Sequence, residues 1–484
     1  MSFEPQNTIF ILSDEHAREF TGCYGHSMVK TPNMDRMAER GTRFTNAYTN
    51  CPICVPARAS LATGRYVHDL RLWDNAHPYT GEPSGWGQRL IDRGHHVTAI
   101  GKLHYRSEDD ATGWSEEIDT LHVINGIGDV AGSVRTEMRE RKTARYMADN
   151  AGRGMSSYAR YDGSTAERAV RWLSEEAPRH QGRPWMLYLG FVLPHFPLVA
   201  PPEFFDMYPD PPPPRLYGPE ERTTHPVLRE MARVQAHDKF FDAEKLRTAR
   251  QAYFGMVTYL DHCIGQVLDA LEASSLADST RVIYTTDHGD NLGNRGLWGK
   301  SNMHEESVAL PMIMTGAGVP EGETVDTPVS LVDLYQTLLQ SAGVELNDVE
   351  RDELPGHSLL EIANGERPDR TILSEYHASS SPTGFFMIRN GDYKYVYYAD
   401  GPPQLFNLAD DPNEIADLAA EPAFASVLAE CEAKLRSILD PDRVSRQAFD
   451  DQRALIERHG GLEQVLGGSD LGYTPVPGEA PQYG

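Results

Sequence analysis

At 484 residues the chain is long enough for two or three domains and a large core, so it needs no covalent staples to fold. Hydrophobic residues make up 40% and charged residues 24%, which excludes a coiled coil, a collagen-like chain and a mainly disordered one. Its 45 Lys and Arg against 71 Asp and Glu leave a formal net charge of -26, a field that repels polyphosphate backbones and argues against nucleic acid as a partner.

The N-terminal residues run straight into a short apolar strand, Thr8 to Leu12, without the basic and apolar regions of a secretory leader. No apolar run approaches the ~20 residues of a membrane span. The five cysteines (Cys23, Cys51, Cys54, Cys263 and Cys431) are few and odd in number, which argues against a disulfide framework. These features predict a soluble, cytoplasmic protein with no membrane partner.

Next comes Cys51-Pro-Ile-Cys54-Val-Pro56-Ala-Arg58, running on to Thr63-Gly64-Arg65. Pro56 pre-sets φ for a helix start, and Gly64 stands where a C-cap belongs. Cys54 then lies near a helix N-terminus, where free N–H groups and the dipole favour anions. Arg58 lies one turn on, able to hold a tetrahedral oxyanion. Read alone, Cys51-x-x-Cys54 is a redox pair or half a zinc site, but the first lacks a thioredoxin-sized context and the second lacks a further Cys pair.

Further strands are predicted at His96 to Ile100, Trp185 to Phe191 and Arg281 to Thr286, each apolar enough to be buried on both faces. Ser164-x-x-Glu167 reads as a capping box opening a helix. Tyr253, Met256, Val257, Leu260, Ile264, Val267, Leu268 and Leu271 give a long helix one apolar face, and the prolines from Pro201 to Pro214 suggest a surface loop. Ser330 through Leu339, stopped by Gly343, is a third helix. Strands alternating with helices predict an α/β fold, a large, mixed, mostly parallel sheet sandwiched by helices. That catalytic domain is expected over residues 1–365. Thr371 to Tyr376, Phe385 to Arg389, Tyr393 to Tyr398 and Gln404 to Leu408, followed by a helix around Val427 to Leu439, predict a smaller α+β domain over 366–440 with an antiparallel sheet. Residues 441–484 read as a tail that packs on the body or on a second copy in a homo-oligomer.

Polar residues gather beyond four strand ends: Asp14-Glu15, Lys102 with His104, His195, and Asp287-His288. In open α/β sheets the crevice beyond the carboxyl ends is where ligands bind, so these groups predict one shared site. Asp14, Asp287 and His288 suit a divalent cation, the imidazole shifting the preference away from a pure calcium cage toward manganese or zinc. Gly289 permits the bend that lets neighbouring Asp287 and His288 converge. Lys102 and His104 share a face if the strand continues. Gly299-Lys300-Ser301 imitates a phosphate loop, but Asn294 stands where that motif needs Gly.

Together these residues resemble the type I sulfatases and phosphonate monoester hydrolases of the alkaline phosphatase superfamily. The resemblance rests on Cys54-Val-Pro-Ala-Arg58 with Thr63-Gly64-Arg65, Trp73-Asp74-Asn75, Gly101-Lys102-Leu103-His104, Pro194-His195-Phe196-Pro197, Asp287-His288-Gly289-Asp290-Asn291 and Gly296-Leu297-Trp298-Gly299-Lys300-Ser301. Ala57 and His288 resemble the bacterial choline-sulfatase and phosphonate-hydrolase branch, while Glu15 stands where family members carry Asp or Gln. The resemblance implies that a maturation enzyme converts Cys54 to formylglycine before folding, and that its hydrate attacks sulfate monoesters. It also implies one divalent metal, Ca2+ or Mn2+, held by Asp14, Glu15, Asp287, His288 and residue 54. Arg58 would position the hydrate and His104 take a proton from it. Asn75 and Lys102 would hold ester oxygens, and His195 and Lys300 would serve the leaving oxygen. The expected substrate is a small anionic ester, and phosphonate monoesters or phosphodiesters, which carry the same single charge, are the alternative.

Overall fold

The computed structural model describes residues 3–180, 182–218, 220–468 and 472–481. Its centre is an eight-stranded sheet. In chain order the strands are β1 (Asn7–Asp14), β2 (Gly41–Phe44), β3 (Val97–Lys102), β4 (Glu116–Leu121), β5 (Met186–Pro194), β6 (Thr280–Thr286), β7 (Met312–Gly316) and β8 (Glu323–Val325). They lie side by side as β8-β2-β7-β6-β1-β5-β3-β4. All run in one direction except β7, which is antiparallel to both neighbours.

Both faces of its central strands are dry, and the alternation along them divides the core in two. Ile9, Ile11, Leu187, Leu189, Val282 and Tyr284 face one layer of helices, built from α2 (Ser157–Glu175) and α3 (Ala243–Glu272). Phe10, Leu12, Met186, Tyr188 and Ile283 face the other, which includes α1 (Cys54–Thr63) and α4 (Asp333–Ser341). Continuous apolar strands in a parallel sheet are the direct result of this double burial.

A separate antiparallel sheet follows, of β9 (Ile372–Tyr376), β10 (Phe385–Asn390), β11 (Tyr393–Tyr398) and β12 (Gln404–Asn407) in that order. Helices α5 (Ala425–Ile438) and α6 (Pro441–Arg458) come after it. Its core includes Tyr48, Cys51 and Trp73 from the first part of the chain, so the two sheets share buried contacts.

Several local readings change. Ser164 lies inside α2, whose N-cap is Ser156 accepting the Ala159 N–H. Tyr158, Ala159 and Asp162 already belong to its buried face, and a carboxylate there breaks the apolar period that would have shown the earlier start. Ser330 belongs to a two-residue strand, and α4 begins at Asp333. The tail is helical from Pro441, with Asp440 capping it. Among the described residues, no helix is long and apolar enough to cross a membrane.

Candidate active site

The four central strands β6, β1, β5 and β3 are immediate neighbours, so their carboxyl ends open on one crevice. Asp14 ends β1 and Lys102 ends β3, His195 directly follows β5, and Asp287 directly follows β6. Helix α1 lies with its N-terminus at that crevice. Cys54 is its first residue, Asn75 Oδ1 accepts the Val55 N–H, and Gly64 closes the helix in the left-handed region at φ 68°. A Cβ on Gly64 would also meet the Tyr335 side chain at 2.8 Å. Arg58, one turn after Cys54, faces the same side.

The Cys54 thiol donates to Asp14 Oδ1 at 3.5 Å and lies 3.2 Å from His288 Nε2. Arg58 donates from Nε to Asp287 Oδ2 at 2.8 Å, from Nη2 to Asp14 Oδ2 at 3.3 Å and from Nη1 to the Lys102 carbonyl at 2.9 Å. Lys102 Nζ sits 2.5 Å from Asp14 Oδ2. Lys300 Nζ donates to Glu15 Oε2 at 2.9 Å, and His195 Nε2 is 3.4 Å from the same oxygen. His195 gives its Nδ1 proton to the Phe196 carbonyl at 2.6 Å, since that oxygen can only accept. Asp14, Glu15, Asp287 and His288 are fully buried.

Burial alone would raise the pKa of Asp14, but Lys102, with His195, Arg58 and His288, holds it well below the usual carboxylate range. Glu15 goes the other way: burial, with Asp290 and Asp14 adding, lifts it well above its ordinary value against Lys300. Burial and Asp14 push the Cys54 thiol up to about 12, so an unmodified thiol is a poor nucleophile here. Burial, then Lys102 and Arg58, depress His104, which is held as neutral imidazole. Burial and Lys300 do the same to His195.

Two overlapping groups of donors meet at Asp14. Asp14, Cys54, Asp287 and His288 form one, and Asp14, Glu15 and His195 the other, with ligand atoms within 4.8 Å of one another in each. Hard carboxylate oxygens beside one imidazole, all out of water, fit a divalent cation. Glu15 belongs to the second group only, on the Lys300 side.

Two expected local geometries differ. β3 ends at Lys102, and His104 takes a left-handed φ of 62°, so the pair does not share an extended face. Both nevertheless line the cleft, with Asn75, His195 and Lys300. Gly289 has no positive φ, and its need is space: a Cβ there would lie 2.0 Å from the Glu306 carbonyl oxygen. Tyr188, Asp290, Tyr158 and Thr474 are parts of the site that sequence reasoning assigned no role. Tyr188 accepts from Arg58 at 3.1 Å, and Asp290 accepts the Leu292 and Gly299 N–H groups at 2.6 and 3.0 Å. Asp290 stood inside a quoted motif, and its spacing from Asp287 was the available signal. Tyr188 and Tyr158 carried none.

The mostly parallel α/β sheet thus gathers carboxylates, imidazoles and lysines in one crevice beyond its strand ends, with Cys54 facing them from the start of α1. Residues 6–344 match the Sulfatase family, and residues 293–440 match the C-terminal region described for N-sulphoglucosamine sulphohydrolase. The chain belongs to the sulfatase family, whose members are sulfuric ester hydrolases. It is 33% identical over 401 residues to a choline-sulfatase of Rhizobium meliloti (strain 1021), covering 81% of this chain and 78% of that one. Arylsulfatase K of Danio rerio is 30% identical over 484 residues, covering 92% and 86%. In fold it is similar to the phosphonate monoester hydrolase of Agrobacterium radiobacter, with a TM-score of 0.69 at 23% identity over 89% of this chain and 95% of that one. A protein solved with its substrate D-glucosamine-2-N,6-O-disulfate gives 0.70 at 21% identity, covering 93% and 99%.

Proposed function

We propose that this protein hydrolyses sulfate monoesters with residue 54 in its formylglycine form and a divalent metal, Ca2+ or Mn2+, beside it. The observation that carries this reading is the place of Cys54: first residue of a buried helix, within 3.5 Å of both Asp14 and His288 and bordered by lysines. Formylglycine would supply a hydrated aldehyde: one hydroxyl to displace the alcohol from sulfur, and a second whose proton loss then expels sulfate by C–O cleavage and restores the aldehyde. Asp14, Asp287, His288 and Glu15 would hold the metal, which supplies positive charge to the ester oxygens.

The remaining work falls to side chains. Arg58 ties Asp14 to Asp287 and, with Lys102, helps hold Asp14 ionised. Lys102 and the Asn75 amide, whose oxygen is already taken by Val55, are donors for non-bridging ester oxygens. His104, as neutral imidazole, accepts the proton that must leave residue 54. Lys300 remains an ammonium: burial opposes its charge, but Glu15, Cys54 and Asp14 raise its pKa. With His195 Nε2 beside Glu15, it brings positive charge and a proton route to the leaving oxygen.

Peptide mass spectrometry across residues 44–65 tests this reading. Conversion of the CH2SH group to an aldehyde lowers the peptide mass by about 18 Da. Cys54→Ala should stay folded and lose nearly all hydrolysis. Full activity with unmodified Cys54, or in Cys54→Ala, would overturn the mechanism. Comparing kcat/KM for an aryl sulfate and an aryl phosphonate monoester ranks the two ester classes, with the sulfate expected ahead. We also propose that the chain self-associates. Sedimentation of the full chain should give a multiple of the chain mass, and a monomer at working concentration would refute it.

A further inference from the structure

The described end of the chain, residues 472–481, returns to the catalytic cleft, and Gly472, Tyr473 and Thr474 form part of its wall. Thr474 Oγ1 lies 3.0 Å from His104 Nε2. Among the described residues no other group bonds that ring, and His104 Nδ1 is buried without a hydrogen-bond partner. The tail segment is itself anchored. Tyr158 of α2 donates its hydroxyl to the Thr474 carbonyl at 2.6 Å. The Tyr473 ring meets Tyr158 edge-on at 5.0 Å and lies against Tyr146 at 5.8 Å. Thr474 is thus held at its backbone and is stiff at χ1, so its hydroxyl is a fixed point.

We propose that Thr474 is a positioning residue for His104, setting the rotation of its ring. A neutral imidazole has one N–H and one lone pair, and a threonine hydroxyl can satisfy either. One contact at Nε2 fixes the ring plane, and with it the direction of Nδ1. Without it, both ring nitrogens are buried and unpaired, and the ring loses the bond that aligns it with residue 54. A proton acceptor misplaced by a fraction of an ångström slows proton transfer without weakening the hold on sulfate, which rests on Lys102 and Asn75. The C-terminal tail would then complete the machinery of a site otherwise built between residues 14 and 300.

This inference rests on the reading of His104 as proton acceptor, and the test separates the two. Four forms of the metal-loaded, formylglycine-bearing enzyme are compared on 4-nitrophenyl sulfate: Thr474→Val, Thr474→Ser, His104→Ala and the double variant His104→Ala/Thr474→Val. Thr474→Val, close in shape but without a hydroxyl, should lower kcat roughly 10- to 100-fold with KM within about twofold. Thr474→Ser should recover most of the rate, and in the His104→Ala background the valine should cost nothing further. A Thr474→Val enzyme with unchanged kcat, one changed in KM alone, or one whose loss persists without His104 would overturn the proposal while leaving His104 in place. Wild-type kcat in His104→Ala would instead remove His104 from the mechanism, and Thr474 with it.

Discussion

His195 has both ring nitrogens accounted for: Nδ1–H is spent on the Phe196 carbonyl, and Nε2 faces the Glu15–Lys300 pair. If that end serves the departing oxygen, the benefit depends on how badly the oxygen needs help. On 4-nitrophenyl sulfate, whose phenolate leaves unprotonated, His195→Ala should lose less kcat than on an alkyl sulfate. Asp287→Asn should depress both alike, because it acts at the sulfate end. Equal penalties for His195→Ala on the two esters would take it off the leaving oxygen. Arg58 invites a different measurement. It is 1% exposed and bridges two fully buried carboxylates. Arg58→Ala removes the cation the two share and leaves Lys102 to Asp14 alone, which should cost about 3–5 kcal/mol in stability as well as activity, read from the denaturant midpoint. Residues such as Asp14, Lys102 and Asp287 were legible in the sequence because each follows an apolar run that could only be a buried strand. Thr474 was not, since it meets its partner His104 across 370 positions of chain.

Helix α2 reaches the site through Asp162, whose carboxylate accepts the backbone N–H groups of Val192 and Leu193 at 2.8 to 3.1 Å, just before the turn carrying His195. Burial lifts its pKa from 3.8 to about 7, against the two backbone N–H groups. The folded state therefore binds a proton that the unfolded chain has released, and stability present below pH 3.8 is lost as pH rises through about 7. Asp162→Asn should flatten the pH dependence of the thermal midpoint between about pH 4 and pH 7. The same downward slope in both proteins would show that Asp162 does not titrate in this range. The same carboxylate explains why the start of α2 was misread, whereas α3 was plain in the sequence because its apolar positions from Tyr253 to Leu271 keep a 3.6-residue period long enough to outweigh the buried Asp261 among them. Turn and cap residues decide such boundaries only when the interior pattern is clean.

The C-terminal helix α6 binds the second half of the molecule to the first. Val444 and Ala448 enter the core of the antiparallel sheet. Trp73 Nε1 donates to Asp451 at 2.8 Å, and Gln452 Nε2 donates to Asp74 Oδ2 at 2.8 Å. Asp74 also takes the Ser133 hydroxyl at 2.7 Å, so α6 braces the loop that carries Asn75. A chain ending at Asp440 should lose several degrees of thermal midpoint and most of its activity together. Unchanged midpoint and activity would show the helix to be dispensable. The sequence of this region shows scattered apolar residues among many polar ones, enough to predict packing and too few to reveal a helix whose anchors are hydrogen bonds to distant partners.

The alignment of β1 with its two neighbours has a mechanical side. Leu12 stands opposite Thr285 on one flank and Gly190 on the other, with Asp14 and Asp287 two residues further along the chain from Leu12 and Thr285, and His195 five residues beyond Gly190. Sliding any one strand by a single position would shift its terminal group by about 3.3 Å and turn alternate side chains to the opposite face. Lesser distortions do proportionally less, yet proton transfer and in-line attack tolerate only fractions of that distance. Turnover in this protein is therefore a gauge of how tightly its core is packed. A cavity opened under Ile11 or Tyr284 would be felt first as a slower enzyme, at temperatures where every spectroscopic sign of folding is still intact.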